Sequence, residues 1–234
     1  FRHFNGVSGH YYYYETFGSG AAFFDFDEDG WLDIYLVNGA VLTDTLPANL
    51  PVNRLYRNET SDKIKSGSQV PLRFRDITTN SGTNDNHYGM GVAAADFDND
   101  GIADLLGLPE ASPPVLYRGG KLLGFNQPPE VIKISPEVVY AGSCITAGDI
   151  DGDGDLDAWL TTNKAPYHGG QMPTPYYDSN DGYPSFLLTN DGKGHFTDKT
   201  KEAGLAKKRY RRTYSSSFVD LESDEDLDLV VIND

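Results

Sequence analysis

Four short acidic segments carry the side chains in this chain that are best suited to chemistry. Their sequences are DFDEDGWLD from Asp25, DFDNDGIAD from Asp96, DIDGDGDLD from Asp149 and DLESDEDLD from Asp220, and they align without gaps. Acidic residues alternate along each segment, so one tight loop can turn its odd-numbered side chains inward while the even-numbered ones point away. Several oxygen ligands in one loop suit a hard divalent cation, because Ca²⁺ takes six to eight oxygens.

The four segments are called loops 1 to 4 (residues 25–33, 96–104, 149–157 and 220–228), with positions 1 to 9 in each. The predicted metal ligands are the carboxylates at positions 1, 3, 5 and 9, joined by position 7, which offers its backbone carbonyl. They are Asp25, Asp27, Asp29, Trp31 and Asp33 in loop 1, Asp96, Asp98, Asp100, Ile102 and Asp104 in loop 2, Asp149, Asp151, Asp153, Asp155 and Asp157 in loop 3, and Asp220, Glu222, Asp224, Asp226 and Asp228 in loop 4. We predict up to four calcium ions, one in each loop.

Loop 4 departs from the pattern at two positions. Glu222 replaces the aspartate of position 3, and Glu225 stands at position 6, where the other loops have Gly30, Gly101 and Gly154. Glycine permits a sharp turn with a left-handed backbone. A non-glycine residue in that conformation costs about 1–2 kcal/mol, so we expect the site at 220–228 to be the weakest.

Two other interpretations of these loops fit less well. An EF-hand needs glutamate at position 12 and flanking helices, whereas position 12 here is Leu36, Gly107, Leu160 or Val231 and the flanks resemble strands. Mg²⁺ prefers fewer protein ligands and keeps its waters. An acidic turn without an ion would leave several like charges close together, and four such turns in register argue against that interpretation.

The net charge of the chain is a consequence of these loops. The formal charge is −16, and the four loops hold 20 of the 35 acidic residues without any lysine or arginine. The remainder of the chain has 15 acidic and 19 basic residues, a formal charge of +4. The acidity is therefore local, which favours a local function such as ion binding over a generally acidic surface.

The elements around the loops are predicted to be strands. A small-residue stretch precedes each loop (for example GSGAAFF or GMGVAAA), and an apolar stretch follows it (for example IYLVN or AWLTTN). Further strand patterns follow in the first repeat (RLYRN, LRFRDIT), the second (VLYRGG and a weaker VIKI) and the third (FLLTN, HFTDKT). About four short antiparallel strands in each repeat is the content of one β-propeller blade, and such repeats must stack to bury their faces.

These repeats resemble a known family. The unit of a small-residue strand, a DxDxDGxxD loop and an apolar strand, followed by strands such as RLYRN and FRDIT, is similar to the FG-GAP/VCBS repeat. Gly18 to Ala22, Leu55 to Asn58 and Phe74 to Ile77 resemble the cartilage acidic protein/UnbV branch of that family. The resemblance implies an all-β, seven-bladed propeller with Ca²⁺ in the loop between the first two strands of a blade. It also implies a secreted setting, extracellular or periplasmic and possibly at the cell surface, with binding rather than catalysis.

Residues 1–234 hold about three and a half such blades, so we expect a partial propeller, a part of a longer ring. The leading hypothesis is a binding or assembly module without catalysis, acting in adhesion or as a scaffold and possibly as a subunit of a larger extracellular assembly. A protein or glycan partner would bind the propeller face. No stretch is apolar enough for a membrane span.

Two alternatives for function stay open. A polysaccharide lyase or hydrolase would use His87, Tyr88 or His168 on the face opposite the loops. A glycan-binding lectin would use the insertion from Lys164 to Ser185, which is rich in Tyr, Pro and Gly. The basic run from Lys207 to Arg212 is interpreted as a solvated connection, and nucleic acid is not expected as a partner.

Overall fold

The computed structural model describes residues 1–6, 15, 18–41, 50–60, 72–120, 124–125, 128–134, 139–164 and 179–233. These residues form short antiparallel strands and one short helix, α1 (Thr78–Ser81). The all-β fold class predicted from the sequence is confirmed at this level. No helix among the described residues is long and apolar enough to cross a membrane.

The first sheet has four strands in chain order, each antiparallel to the next. They are β1 (Ala21–Phe24), β2 (Asp33–Leu36), β3 (Arg54–Asn58) and β4 (Phe74–Asp76). In β1 the side chains alternate, so that Ala22 and Phe24 are buried while Ala21 and Phe23 are exposed. This period of two is the pattern of a strand with one face in a core, and it places loop 1 between β1 and β2.

The second and third sheets repeat this order of strands. The second contains β5 (Gly89–Ala95), β6 (Asp104–Pro109), β7 (Val115–Tyr117) and β10 (Glu130–Val131), and a small hairpin of β8 (Gly119–Gly120) and β9 (Gly124–Phe125) lies between β7 and β10 in the chain. The third contains β11 (Gly142–Gly148), β12 (Asp157–Thr162), β13 (Phe186–Thr189) and β14 (Thr197–Asp198). The VIKI stretch is thus a strand only at its first residue, Val131.

The fourth sheet consists, within the described residues, of β15 (Thr213–Val219) and β16 (Asp228–Asn233). All four sheets share one register at their acidic loops. The residue just before each loop pairs with position 9 of that loop, as Phe24 does with Asp33 and Val219 with Asp228. Identical register in four sheets means that each loop leaves and re-enters its sheet in the same way.

The sheets lie side by side with their first strands in contact. Strand β1 lies against β5, β5 against β11, and β11 against β15. Backbone groups bond directly across one of these contacts, since the Gly20 amide donates to the Met90 carbonyl at 2.8 Å. A Cβ on Gly91 would lie 3.3 Å from the Ile145 amide nitrogen, so glycine keeps β5 and β11 close. This arrangement is propeller-like, and the described sheets do not form a closed ring.

Two hydrophobic clusters lie between neighbouring sheets. One joins the first and second sheets and includes Phe26, Tyr35 and Leu55, and the other joins the second and third and includes Phe97, Leu160 and Phe186. Phe26 and Phe97 occupy position 2 of loops 1 and 2 and are buried. An even-numbered loop position therefore anchors loops 1 and 2 in the core, whereas Leu221 at position 2 of loop 4 is exposed.

Candidate metal centre

The first aspartate of each loop holds the loop closed. In loop 1 the Asp29 amide donates to Asp25 Oδ1 at 3.0 Å, and the Gly30 amide donates to Asp25 Oδ2 at 2.7 Å. Asp96, Asp149 and Asp220 accept the corresponding backbone bonds in the other loops. Position 1 is thus a turn residue as well as a candidate ligand, because aspartate side chains bond readily to nearby backbone amides.

Left-handed backbone occurs at two positions in every loop. At position 6 the φ angles are 86° for Gly30, 89° for Gly101, 92° for Gly154 and 75° for Glu225. The sequence predicts the turn at this position. Position 4 is also left-handed, at Glu28, Asn99, Gly152 and Ser223, which the sequence analysis missed. Asparagine and glycine at that position in loops 2 and 3 were the available signal.

In loops 1 to 3 the aspartate at position 9 is buried and ties its loop to the end of the third strand of its sheet. Asp33 Oδ2 accepts the Phe26 amide at 3.1 Å, and its Oδ1 accepts the Asn58 amide of β3 at 2.7 Å. Asp104 accepts Phe97 and Gly119, and Asp157 accepts Ile150 and Asn190, in the same arrangement. Asp228 accepts the Leu221 amide in loop 4. Position 9 therefore contributes to the fold even before any ion is considered.

The surroundings of position 9 disfavour its charge. Burial raises the pKa of Asp33 to about 6, against the lowering effect of its two backbone hydrogen bonds, and the nearby Asp27 and Asp29 raise it further. Burial likewise raises the pKa of Asp104 to about 6, and it raises the pKa of Asp157 as well. A cation in the loop would reverse this balance, because an opposite charge nearby favours the carboxylate.

The structure brings three carboxylates together in each of three loops. The groups whose oxygens lie within 4.8 Å of one another are Asp25, Asp27 and Asp29; Asp96, Asp98 and Asp104; and Asp149, Asp151 and Asp157. Among the described residues, loop 4 contributes no such group, and its place as the weakest site stays a prediction. The carbonyls of Trp31 and Ile102, and the remaining carboxylates, stay predicted ligands.

Two buried oxygen atoms show that the loops suit a cation. Asp27 Oδ1 and Asp98 Oδ1, both at position 3, are buried without any hydrogen-bond partner. The Asp27 side chain is only 6% exposed. A buried carboxylate oxygen with nothing to accept from is costly, and a calcium ion would provide the missing partner. The candidate ligand atoms are all oxygens, which match the chemistry of that ion.

Arginines from the third strands reach the same carboxylates, and the sequence analysis did not identify them. Arg57 of β3 donates from Nε to Asp27 Oδ2 and from Nη2 to Asp29 Oδ2 at 3.1 Å. Arg118, just after β7, donates from Nη1 to Asp98 Oδ2 at 2.7 Å. The signal in the sequence was the repeated Leu-Tyr-Arg of RLYRN and VLYRGG.

Loops 2 and 3 contact each other across the second and third sheets. Asn99 Nδ2, at position 4 of loop 2, donates to Asp155 Oδ1, at position 7 of loop 3, at 2.6 Å. A Cβ on Gly192 would lie 2.4 Å from that same oxygen, so the turn after β13 closes over Asp155. Asp155 was predicted to be a ligand, and that role stays a prediction. Its side chain serves a contact between loops.

The residues proposed for catalysis have separate roles where the structure describes them. His87 Nδ1 lies 2.5 Å from Asp85 Oδ1, and Tyr117 donates to Asp85 Oδ2 at 3.1 Å. Tyr88 is buried and donates to the Asn5 carbonyl. His168 and most of the insertion, residues 165–178, lie outside the described residues. His87 and Tyr88 therefore make different contacts.

The basic run from Lys207 to Arg212 divides into two parts. Residues 207–211 are turns and bends with mostly exposed side chains, in agreement with a solvated connection. Arg212 is fully buried, and it donates to both carboxylate oxygens of Asp181, at 3.0 and 2.9 Å. The solvated part of the run is therefore Lys207, Lys208 and Tyr210, whereas the Arg209 guanidinium lies over the Phe186 ring, 4.5 Å from its centroid.

The fold and the loops together define a class of protein. Stacked four-stranded antiparallel sheets, each with an acidic loop between its first two strands, form a propeller-type repeat module. Residues 25–107 match the model of the FG-GAP-like repeat. The chain thus contains FG-GAP-like repeat sequence, and the matched part includes loops 1 and 2. A comparison with curated proteins gives no match. The finer resemblance to the UnbV branch stays a prediction.

Proposed function

We propose that this chain is a calcium-stabilised propeller module that binds a protein or glycan partner in an extracellular or periplasmic setting, without catalysis. The observation that supports it best is the unpartnered Oδ1 atom of Asp27 and of Asp98, each buried among other carboxylates of its loop. The FG-GAP-like repeat over residues 25–107 supports the propeller part of the proposal. The partner and the location rest on the family resemblance.

Calcium suits these loops better than magnesium for a geometric reason. Mg²⁺ demands near-ideal octahedral geometry and gives up its waters reluctantly, whereas Ca²⁺ accepts many protein oxygens in flexible arrangements. Three carboxylates within 4.8 Å of one another, in a loop closed by its own backbone bonds, offer such a set. Loops 1 to 3 are the proposed sites, and loop 4 is a weaker fourth.

Ion binding at these loops would act on stability. A site with a dissociation constant of about 0.1 mM in about 1 mM free calcium gains roughly 1.4 kcal/mol. Three such sites would gain about 4 kcal/mol together, which corresponds to a rise in melting temperature of roughly 8–16 °C for a chain of this size. The ions would thereby decide how firmly a partner-binding surface is held.

Thermal unfolding of the full chain tests this proposal. We expect the melting temperature to rise by roughly 8–16 °C between excess chelator and about 1 mM calcium, and to rise much less with the same concentration of magnesium. A melting temperature that is the same in chelator and in calcium would contradict the proposal.

A set of matched variants locates the effect. The triple variant Asp27→Asn, Asp98→Asn and Asp151→Asn removes one carboxylate at position 3 of each loop. It should lose most of the response to calcium. Glu28→Gln is the control, because Glu28 belongs to loop 1 but is exposed, and its response to calcium should equal that of the wild type.

A further inference from the structure

In each of the first three sheets, one residue position determines whether a positively charged side chain lies beside the acidic loop. The amides of Asn58, Gly119 and Asn190 each donate to the position 9 aspartate of their own sheet, so these three residues are structurally equivalent. The residue before them is Arg57 in the first sheet, Arg118 in the second and Thr189 in the third. The first two sheets therefore supply a cation at a place where the third supplies a neutral hydroxyl.

The two arginines are held against their loops. Arg57 contacts Asp27 and Asp29 at once. Arg118 contacts Asp98, and its Nη2 also donates to Glu130 Oε2 at 2.9 Å and to the Lys193 carbonyl at 2.8 Å. The two side chains are 26% and 25% exposed. Each guanidinium therefore has a fixed place beside the candidate metal ligands.

We propose that Arg57 and Arg118 are built-in counter-ions that lower the calcium affinity of loops 1 and 2, and that loop 3, with Thr189, is the tightest site. This inference rests on the proposed calcium function and adds the residues that rank the sites. Without metal, each arginine neutralises part of its loop. With metal, it repels the incoming ion and occupies Asp27 Oδ2, Asp29 Oδ2 or Asp98 Oδ2.

Coulomb's law gives the size and the sign of the effect. A unit positive charge about 5 Å from a dication in a water-like medium disfavours binding by about tenfold. Loop 3 escapes this penalty, because Thr189 places no positive charge beside it. The Coulomb term therefore places loop 3 ahead of loops 1 and 2.

If these arginines instead supported metal binding, their removal would weaken calcium affinity. A residue that only orients a ligand, here by holding Oδ2 so that Oδ1 faces the ion, supports binding, and its loss weakens metal affinity by 10- to 100-fold. Replacement of arginine by a neutral residue therefore separates the two roles by sign.

Terbium luminescence can measure loops 1 and 3 separately, because the chain has two tryptophans. Trp31 is at position 7 of loop 1, and Trp159 lies in β12 two residues after loop 3. Excitation beyond the tyrosine absorption sensitises Tb³⁺ near tryptophan. The Trp159→Phe background then reports loop 1, and the Trp31→Phe background reports loop 3. Displacement of Tb³⁺ by calcium gives the calcium affinity of each loop.

The variants remove the positive charge beside loop 1 and add one beside loop 3. In the first background, Arg57→Gln should bind calcium about tenfold more tightly than its parent, and Arg57→Lys, which keeps the charge, should stay close to it. In the second background, Thr189→Arg should weaken binding about tenfold, with Thr189→Gln as the neutral control of similar length. Loop 3 of the parent should also bind more tightly than loop 1.

The melting temperature provides a second readout for variants that fold less well. In chelator, Arg57→Gln should melt lower than Arg57→Lys, since the carboxylates of loop 1 lose their counter-ion, and calcium should abolish this difference in melting temperature. Unchanged or weaker calcium binding by Arg57→Gln, or unchanged binding by Thr189→Arg, would overturn the inference alone. If Tb³⁺ is not displaced by calcium from either parent, the proposed calcium function itself fails.

Discussion

At the scale of single residues, position 6 of the acidic loops shows the conformational cost of a side chain on left-handed backbone. The three glycines there have open space around a Cβ built on them, so any penalty for a side chain is conformational. Glu225 has this left-handed conformation, with a φ of 75°. Left-handed backbone costs a non-glycine residue about 1–2 kcal/mol.

Glu225→Gly should therefore stabilise the chain. Relief of the left-handed backbone outweighs the extra entropy that glycine gives to the unfolded chain, about 0.4–1 kcal/mol, so we expect a net gain of about 0.5–1 kcal/mol. Chemical unfolding in chelator measures it. Glu225→Gln removes the same charge but keeps the strain, and an equal gain in both variants would show that repulsion in loop 4, rather than φ, is responsible.

At the scale of elements, the approach of neighbouring first strands depends on small residues. A Cβ on Gly20 would lie 3.1 Å from the Val92 amide nitrogen and 3.2 Å from the Met90 carbonyl oxygen, so it would contact the backbone of β5. Backbone in a paired strand cannot move aside as a flexible side chain can. The first and second sheets would have to separate.

Gly20→Ala should thus destabilise the chain by about 1–3 kcal/mol, the usual cost of overpacking. Gly18→Ala is the control, since a Cβ at Gly18 has nothing within 4 Å, and it should leave the free energy of unfolding nearly unchanged. Equal stability of the two variants in urea denaturation would mean that the first two sheets tolerate a wider separation than the structure indicates.

Arg212 links the third sheet to the fourth. Its guanidinium donates to Asp181 and to the Lys164 carbonyl, in the connection between β12 and β13, and Arg212 itself comes just before β15. The side chain is 1% exposed. Removal of one partner from such a pair leaves the other without its counter-charge.

Arg212→Met should accordingly cost about 3 kcal/mol of unfolding free energy, somewhat less than a fully buried pair because Asp181 is 24% exposed. The contrasting variant is Arg54→Met, which breaks an ion pair with Asp76 whose side chains are about 40% exposed. Exposed pairs contribute about 0–1 kcal/mol. Similar losses for both variants would contradict the buried role of Arg212.

At the scale of the whole molecule, stability is shared between neighbouring sheets. The two hydrophobic clusters each span a boundary between sheets, and the loops of the second and third sheets contact through Asn99 and Asp155. Stacked repeats gain their stability from such neighbour contacts. The calcium-dependent rise in melting temperature should hence appear as a shift of one transition rather than as the loss of a separate early one.

Much of this architecture follows from local sequence. The spacing of aspartates within nine residues determines each loop, because position 1 and the turn glycine act on neighbouring backbone. The strands on either side follow from small and apolar stretches, and their register follows from the loop length. The prediction that loop 4 is the weakest site also rests on its own residues, Glu222 and Glu225.

Contacts between distant residues were decided by the tertiary structure alone. Arg57 lies 30 residues from Asp27, and Asn99 lies 56 residues from Asp155. Neither pair has a spacing that a local period can reveal, since strand pairing and sheet stacking bring them together. The sequence by itself predicted where a cation would bind. The packing of third strands against the loops decided which loops already hold a positive charge, because only the folded sheet places an arginine beside them.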